Sequence, residues 1–270
     1  MSYRKVKSFF GRKISQTLNS LPIRLNKRVP DRIWLYLEAM MKDPENKFIQ
    51  SLYGPYLSQH WEDSTFRQGV LGRYGFGLYN LLVNKMKKDF VFIDIGANNG
   101  LYSFVAEKNK SCKKIYSFEP NPIVAKIFKE NQEKNKSKVE FKNLAIGATN
   151  SEETLSVKKG HTGRGNLLGQ GDEKITIKVR NYEVLDQISD EIGDVQLFVK
   201  IDVEGYEMIV LSELLRSKLS KKIDHLFIEV TEKWLGTDGL EQLFKSIENL
   251  GLKQQKKYGI GWQYDMYFSR

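Results

Sequence analysis

From residue 90 onward the chain alternates short apolar runs with longer amphipathic stretches. Apolar runs of about six residues suit strands covered on both faces, and apolar positions recurring every three to four residues suit helices packed on them. The pattern predicts strand 90–95, helix 99–109, strand 114–119, helix 122–133 and strand 138–144. The order then changes. Residues 153–158 and 174–180 alternate as an antiparallel pair, joined by a loop holding Gly160, Gly163, Gly165, Gly169 and Gly171. A short helix at 182–189 leads back to strand 195–202, helix 206–217, strand 223–230 and helix 238–250. Residues 252–258 and 263–269, separated by Gly259-Ile260-Gly261, read as a closing hairpin. The expected fold is α/β, with a mostly parallel sheet ending in an antiparallel hairpin.

Before residue 90 the pattern is weaker. Residues 33–41 read as a helix. Residues 42–88 hold a Gly54-Pro55 turn, several aromatic residues and a final helix over 78–86. The chain therefore divides into a basic segment 1–32, a helical and irregular cover 33–88, and a main domain 89–270. Within the cover, Gly72-Arg73-Tyr74-Gly75-Phe76-Gly77 is a flexible aromatic stretch suited to a substrate entrance, although aromatic residues at a domain edge also serve simple packing.

The net charge of +10 changes meaning once it is located. Residues 1–32 hold nine Lys or Arg against the single acid Asp31, and the rest of the chain is nearly balanced. The main domain offers no polyanion-binding face, so nucleic acid is not an expected partner. In the tail, Val6, Phe9, Phe10, Ile14, Leu18 and Leu21 recur at helical spacing opposite the cations. Such a helix suits peripheral contact of residues 1–29 with an anionic membrane. A helix packed on its own domain and a cleaved organellar transit peptide fit the same residues. A single cysteine, Cys112, rules out an internal disulfide and fits a reducing, cytoplasmic setting. No run of residues is apolar enough to span a membrane.

Three strings carry the chemistry. Val91-Phe92-Ile93-Asp94-Ile95-Gly96-Ala97-Asn98-Asn99-Gly100 ends an apolar strand in an acid and turns on two glycines. Gly96 and Gly100 allow close backbone approach, and Asp94 is expected at the lip of the turn, where a cationic ligand suits it better than a phosphate. S-adenosylmethionine, with an ammonium and a sulfonium, is such a ligand. Glu119, in Ser117-Phe118-Glu119-Pro120-Asn121-Pro122, ends the second strand where a carboxylate meets ribose hydroxyls. Asn143 and Leu144, at the end of the third strand, are expected to border the adenine. The third string, Val199-Lys200-Ile201-Asp202-Val203-Glu204-Gly205-Tyr206-Glu207, brings Asp202 to the same sheet edge, and Glu229 follows at the end of the next strand. Methyl transfer to oxygen needs an in-line acceptor and a proton acceptor. Asp202 is the first candidate base, Glu229 the second, and His161 in the glycine-rich loop the third. Arg164 could hold an acidic group of the acceptor. No His/Asp/Glu spacing specifies a metal, although Asp202 and Glu229 could share a divalent cation.

Ile-Asp-Ile-Gly-Ala-Asn-x-Gly, Phe-Glu-Pro-Asn-Pro, Asn-Leu-Ala-Ile-Gly and Lys-Ile-Asp-Val-Glu-Gly-Tyr-Glu occur in this order. Together they resemble the FkbM family of S-adenosylmethionine-dependent methyltransferases, over roughly residues 89–250. The resemblance implies a class I, Rossmann-like methyltransferase sheet and O-methylation of a hydroxyl, often on a sugar of a polysaccharide, glycolipid or natural product. It implies cofactor contacts from Asp94, Gly96, Asn98, Gly100 and Glu119, with Asp202 beside the transferred methyl. Two rivals share the sheet: a nicotinamide-dependent oxidoreductase, disfavoured by the Gly-x-x-x-Gly spacing of the first turn, and a non-catalytic binding or tethering domain.

Overall fold

The computed structural model describes residues 13, 14, 17, 30–158, 161–166 and 173–270. Of the basic segment 1–32 only residues 13, 14, 17 and 30–32 are among them, and most of its expected amphipathic helix lies outside the described residues.

A seven-stranded sheet forms the centre, in the order β12-β13-β11-β10-β3-β4-β5. Its strands are β3 (Phe90–Ile95), β4 (Cys112–Phe118), β5 (Glu140–Lys142), β10 (Gln196–Ile201), β11 (Ile223–Thr231), β12 (Lys253–Tyr258) and β13 (Gln263–Ser269). β11, β10, β3, β4 and β5 run parallel, and β13 lies antiparallel between β11 and β12, as the alternation at the end of the chain predicts. The chain leaves β3 toward β4 and β5, then returns to place β10 on the other side of β3. That reversal opens a crevice beyond the carboxyl ends of β3 and β10. β12 is the exposed edge, and its Lys-Gln-Gln-Lys-Lys sequence discourages pairing with another chain.

Alternation along β3 and β10 divides the core. Val91, Ile93, Ile95, Val199 and Ile201 pack against α6 (Glu183–Glu191), α7 (Glu207–Arg216) and α8 (Glu232–Asn249). Phe90, Phe92 and Phe198 point the other way, into a cluster shared with α4 (Leu101–Glu107) and the cover. Phe92 and Phe198 are fully buried and meet edge to face at 5.6 Å. Burying each contributes about 1.5–3 kcal/mol. Asp94 and Lys200 follow the same alternation and so also face the cover side.

The cover comprises α1 (Asp31–Met41), the antiparallel pair β1 (Phe48–Gln50) and β2 (Tyr56–Ser58), α2 (Ser64–Val70) and α3 (Phe76–Asn80), which continues as a π-helical turn over Leu81–Lys85. Trp34, Leu37, Met40 and Met41, on one stripe of α1, join the shared core. Asp63 caps α2 by accepting from Thr65 N at 2.7 Å and Phe66 N at 3.2 Å. Asn121 does the same for α5 (Pro122–Asn135), behind the proline that ends the β4 ladder.

A second sheet, β6-β9-β7-β8, stands beside the crevice. It consists of β6 (Ala145–Ile146), β7 (Ser151–Lys158), β8 (His161–Asn166) and β9 (Glu173–Arg180). β7 and β9 form the expected antiparallel pair. The glycine-rich segment departs from its expectation as a loop, because residues 161–166 extend and pair with β7 as β8. Glycine permits a strand as well as a turn, and an available β7 edge supplies the ladder partner. The last helical stretch, Glu232–Asn249, is broken at Gly236 (φ 64°, ψ −176°), so a short helical turn precedes the helix expected over 238–250.

Candidate functional site

A cavity of about 860 Å³ opens at the carboxyl ends of the parallel strands. Gly96, Ala97, Glu119, Asp202, Glu229 and Asp265 all line it. Leu155 and Ile177 from the second sheet and Tyr74 and Phe76 from the cover complete its walls. The volume lies within the ~300–1,000 Å³ of small-molecule sites.

Glu119 is placed as the strand pattern predicts. Oε2 accepts from Asn98 N at 3.0 Å and Oε1 from Asn121 N at 2.9 Å, leaving a second lone pair on each oxygen. Burial raises its pKa to about 7, against the lowering effect of those two amides. Gly96 takes φ 79°, and a Cβ there would run into the Asp202 carbonyl oxygen. Gly100 takes φ 87° at the start of α4 and makes room for the Phe104 and Phe128 rings rather than lining the cavity. Asn98 and Leu144 line it. Asn143 does not; its amide donates to the Glu119 carbonyl at 2.7 Å and the Pro120 carbonyl at 3.0 Å, tying the β5 end to the Glu119 turn.

Asp94 lies beneath the first turn rather than at its lip, fully buried. It accepts from Ser103 Oγ at 2.6 Å and pairs with Lys200 Nζ at 3.1 Å. The two residues are register neighbours on adjacent parallel strands, which forces the contact. Lys200 also donates to the Gly96 carbonyl at 2.7 Å and stands 3.6 Å from Asp202 Oδ2. Burial opposes its charge, but Asp94 and Asp202 outweigh burial and hold its pKa above the usual lysine value. Lys200 thus links the first and third sequence strings, a role signalled only by a lysine inside an otherwise apolar strand.

Asp202 follows β10, and its Oδ2 accepts from Tyr74 Oη at 2.7 Å. The Tyr74 backbone is itself fixed, since its carbonyl accepts from Tyr53 Oη at 2.7 Å and Tyr102 Oη at 3.0 Å. Gly75, at φ 65°, leaves the space the Tyr102 hydroxyl occupies. The cover segment expected to be flexible is therefore pinned to the site by three tyrosines. After Asp202 the chain turns through Glu204, at φ 51°, and Gly205, at φ 102°. Glu207 holds that turn by accepting from Val203 N at 3.3 Å and Gly205 N at 3.1 Å.

Glu229 is 5% exposed, and Gln263 Nε2 donates to its Oε1 at 3.0 Å. Burial, then Asp202 and Glu204, push its pKa well above the carboxylate range. Asp265 stands opposite Glu229 in the β11–β13 register, and burial followed by Asp202 raises its pKa to about 7. Asp265 escaped the sequence reading because strand register is not visible there. His161 begins β8, and its side chain, like that of Arg164, lies outside the described residues. Cys112 is half-buried, and burial pushes its thiol up to about 12, far from a reactive thiolate.

The family model described as methyltransferase FkbM domain matches residues 94–257. No curated protein matches the chain. Among solved structures, a methyltransferase FkbM from Methylobacillus flagellatus KT is 15% identical with a TM-score of 0.44, over 99% of this chain and 62% of that one. A precorrin-6y C5,15-methyltransferase from Geobacter metallireducens GS-15 is 12% identical with a TM-score of 0.41, over 72% of this chain and 86% of that one. A magnesium protoporphyrin IX methyltransferase from Synechocystis PCC 6803, solved with bound SAM, is 9% identical with a TM-score of 0.45, over 78% of this chain and 86% of that one.

Proposed function

The chain belongs to the FkbM methyltransferase family, and on that premise we propose that it methylates a hydroxyl oxygen carried by a sugar of a polysaccharide, glycolipid or natural product. S-adenosylmethionine supplies a methyl group on a sulfonium, whose positive charge is complementary to an acid-lined cavity. The observation that carries the reading is the convergence of Glu119, Asp202 and Glu229 on one cavity. The residues present fit the donor. Glu119 keeps a lone pair on each oxygen for the two ribose hydroxyls, Gly96 keeps the floor of the turn bare, and Leu144 and Ile146 offer apolar surface to the adenine.

Asp202 accepts the hydroxyl proton. The Tyr74 hydrogen bond and the nearby Lys200 ammonium fix its orientation, so the proton acceptor is positioned before the acceptor molecule arrives. Tyr74 and the cover shield Asp202 from bulk water. Asp94 acts from beneath, holding Lys200. Polar groups and aromatic rings at the mouth, including Tyr258 and Phe76, suit a hydroxylated ring better than a wholly apolar acceptor.

Isothermal calorimetry with S-adenosylhomocysteine and with NAD tests the donor site. Saturable binding of the first alone is expected, and the reverse would reject the reading. Radiolabelled methyl transfer to a panel of mono- and oligosaccharides tests the acceptor class. Transfer is expected to collapse in Asp202→Asn, and an active variant would move the base elsewhere. Peripheral contact of residues 1–29 with anionic membrane belongs to the same proposal, supported by the sequence pattern alone. Among the described residues, no helix is long and apolar enough to cross a membrane.

A further inference from the structure

Methyl transfer as derived above leaves one buried acid without a task. Glu229 is 95% buried, lines the cavity, and its Oε2 has no hydrogen-bond partner among the described residues. An unpartnered carboxylate oxygen at such a depth is costly unless something fills the space before it. Two more acids converge on the same point: Asp202, Glu204 and Glu229 each bring one oxygen within 4.8 Å of the other two. Asp265 faces Glu229 across the β11–β13 register and adds to the negative field. The ammonium beside them, Lys200, is already paired at 3.1 Å with Asp94.

We propose that Asp202, Glu204 and Glu229 bind one hard divalent cation in the cavity. The donor set is all carboxylate, with no thiolate or imidazole, which selects the Mg²⁺, Mn²⁺ and Ca²⁺ class over softer metals. The spacing fits this class. Cation–oxygen distances of about 2.1–2.6 Å place ligands on opposite sides of the ion roughly 4.2–5.2 Å apart. The three carboxylates come from the β10 end, the turn after it and the β11 end, so the sheet edge itself sets their separation. Resting on the methyl-transfer reading, the cation's remaining positions would take neighbouring hydroxyls of a polyhydroxylated acceptor. A hydroxyl bound to such a cation would be a stronger acid, which lowers the demand on the base that takes its proton.

The test is a Mn²⁺ titration of the full chain followed by electron paramagnetic resonance, with Mg²⁺ and Ca²⁺ as competitors. One saturable site is expected, weakened at least about tenfold in both Glu204→Gln and Glu229→Gln. Circular dichroism of each variant shows whether it has folded, and having two variants keeps the result interpretable if one fails. No saturable binding up to about 5 mM, beyond the range of weak physiological carboxylate sites, would overturn the proposal. So would unchanged affinity in both folded variants. Calorimetry with S-adenosylhomocysteine in parallel separates the two readings. Nucleoside binding without Mn²⁺ binding removes the cation alone, whereas Mn²⁺ binding without nucleoside binding upholds the cation site and removes the methyl donor.

Discussion

The Tyr74 hydroxyl donates to Asp202 Oδ2 at 2.7 Å across 128 positions of sequence, joining the cover to the end of β10. Burial, reinforced by the Asp202 charge, raises the Tyr74 pKa well above its ordinary value, so the phenol remains a donor at any working pH. A hydrogen bond to a charged group contributes about 1.5–3 kcal/mol. Tyr74→Phe is therefore expected to lower the unfolding free energy by about that amount in urea denaturation. The affinity for S-adenosylhomocysteine is expected to stay within about threefold, because the proposed ribose contact is Glu119, which Tyr74 does not bond. A loss of nucleoside affinity as large as the loss of stability would show that Tyr74 positions the donor instead.

Lys200 lies between Asp94 at 3.1 Å and Asp202 at 3.6 Å, with its side chain 4% exposed. Removing one member of a buried pair leaves an uncompensated charge and costs about 3–5 kcal/mol. Lys200→Met is expected to be destabilised on that scale, and Asp94→Asn somewhat less because Ser103 still serves the amide. The double variant is expected to be more stable than the sum of the two losses predicts, and chemical denaturation of all four proteins measures the coupling. Additive losses would mean that the pair is not coupled in solution.

Much of this arrangement is legible in the strings themselves. Apolar runs ending in Asp94, Glu119 and Asp202 announce parallel strands, and in the fold Asp94 is the penultimate residue of β3 while Glu119 and Asp202 directly follow β4 and β10 of the same sheet. What the strings do not show is facing. Asp94 reads as a lip residue, yet strand alternation turns it under the cover with Phe90 and Phe92, and that cover has weak periodicity. Lys200 stands in the same string as Asp202, but its partner lies on β3, and only the strand register reveals the pair. Tyr74 and Asp265 reach the site through long-range packing and hairpin register, neither of which a local pattern encodes. The β8 strand escaped for a related reason, since glycine-rich sequence leaves the choice between loop and strand to the neighbouring edge.

Gly96 combines a left-handed φ of 79° with a Cβ position filled by the Asp202 carbonyl oxygen. The obstacle is backbone, so no side-chain rotation relieves it. Gly96→Ala is expected to force β3 and β10 apart at the floor of the cavity and cost at least about 3 kcal/mol, the sum of steric and backbone strain. Thermal unfolding is expected to show the loss, and S-adenosylhomocysteine is expected to restore little of it. A variant with normal stability and normal nucleoside binding would contradict the close approach.

The tail makes a separate claim. Residues 1–32 concentrate nine cations, so deleting residues 1–29 is expected to abolish binding to phosphatidylserine vesicles while leaving nucleoside affinity unchanged. Sedimentation with vesicles at low and high salt measures this. Equal sedimentation of full-length and truncated chains would end the membrane assignment.

Glu119 sets a pH dependence whose direction follows from its burial. Its carboxyl sits near 4.5 when unfolded and is raised to about 7 in the fold. Between those values the folded chain holds a proton that the unfolded chain has released. The contribution to stability is therefore fully present below pH 4.5 and is lost as pH rises through 7. For a shift of this size the contribution reaches on the order of 3 kcal/mol, so the ligand-free protein is expected to gain stability from this group between pH 8 and pH 5.5. Nucleoside binding runs the opposite way. In the proposed site two ribose hydroxyls would donate to the ionised carboxylate, so binding would favour the charged form and expel the proton. Calorimetry with S-adenosylhomocysteine is expected to show about tenfold weaker binding at pH 6 than at pH 8, with proton release at the lower pH. In Glu119→Gln the affinity is expected to be lower at both values and no longer to change between them. Equal affinity of the unaltered protein at pH 6 and pH 8 would mean that Glu119 does not hold the ribose.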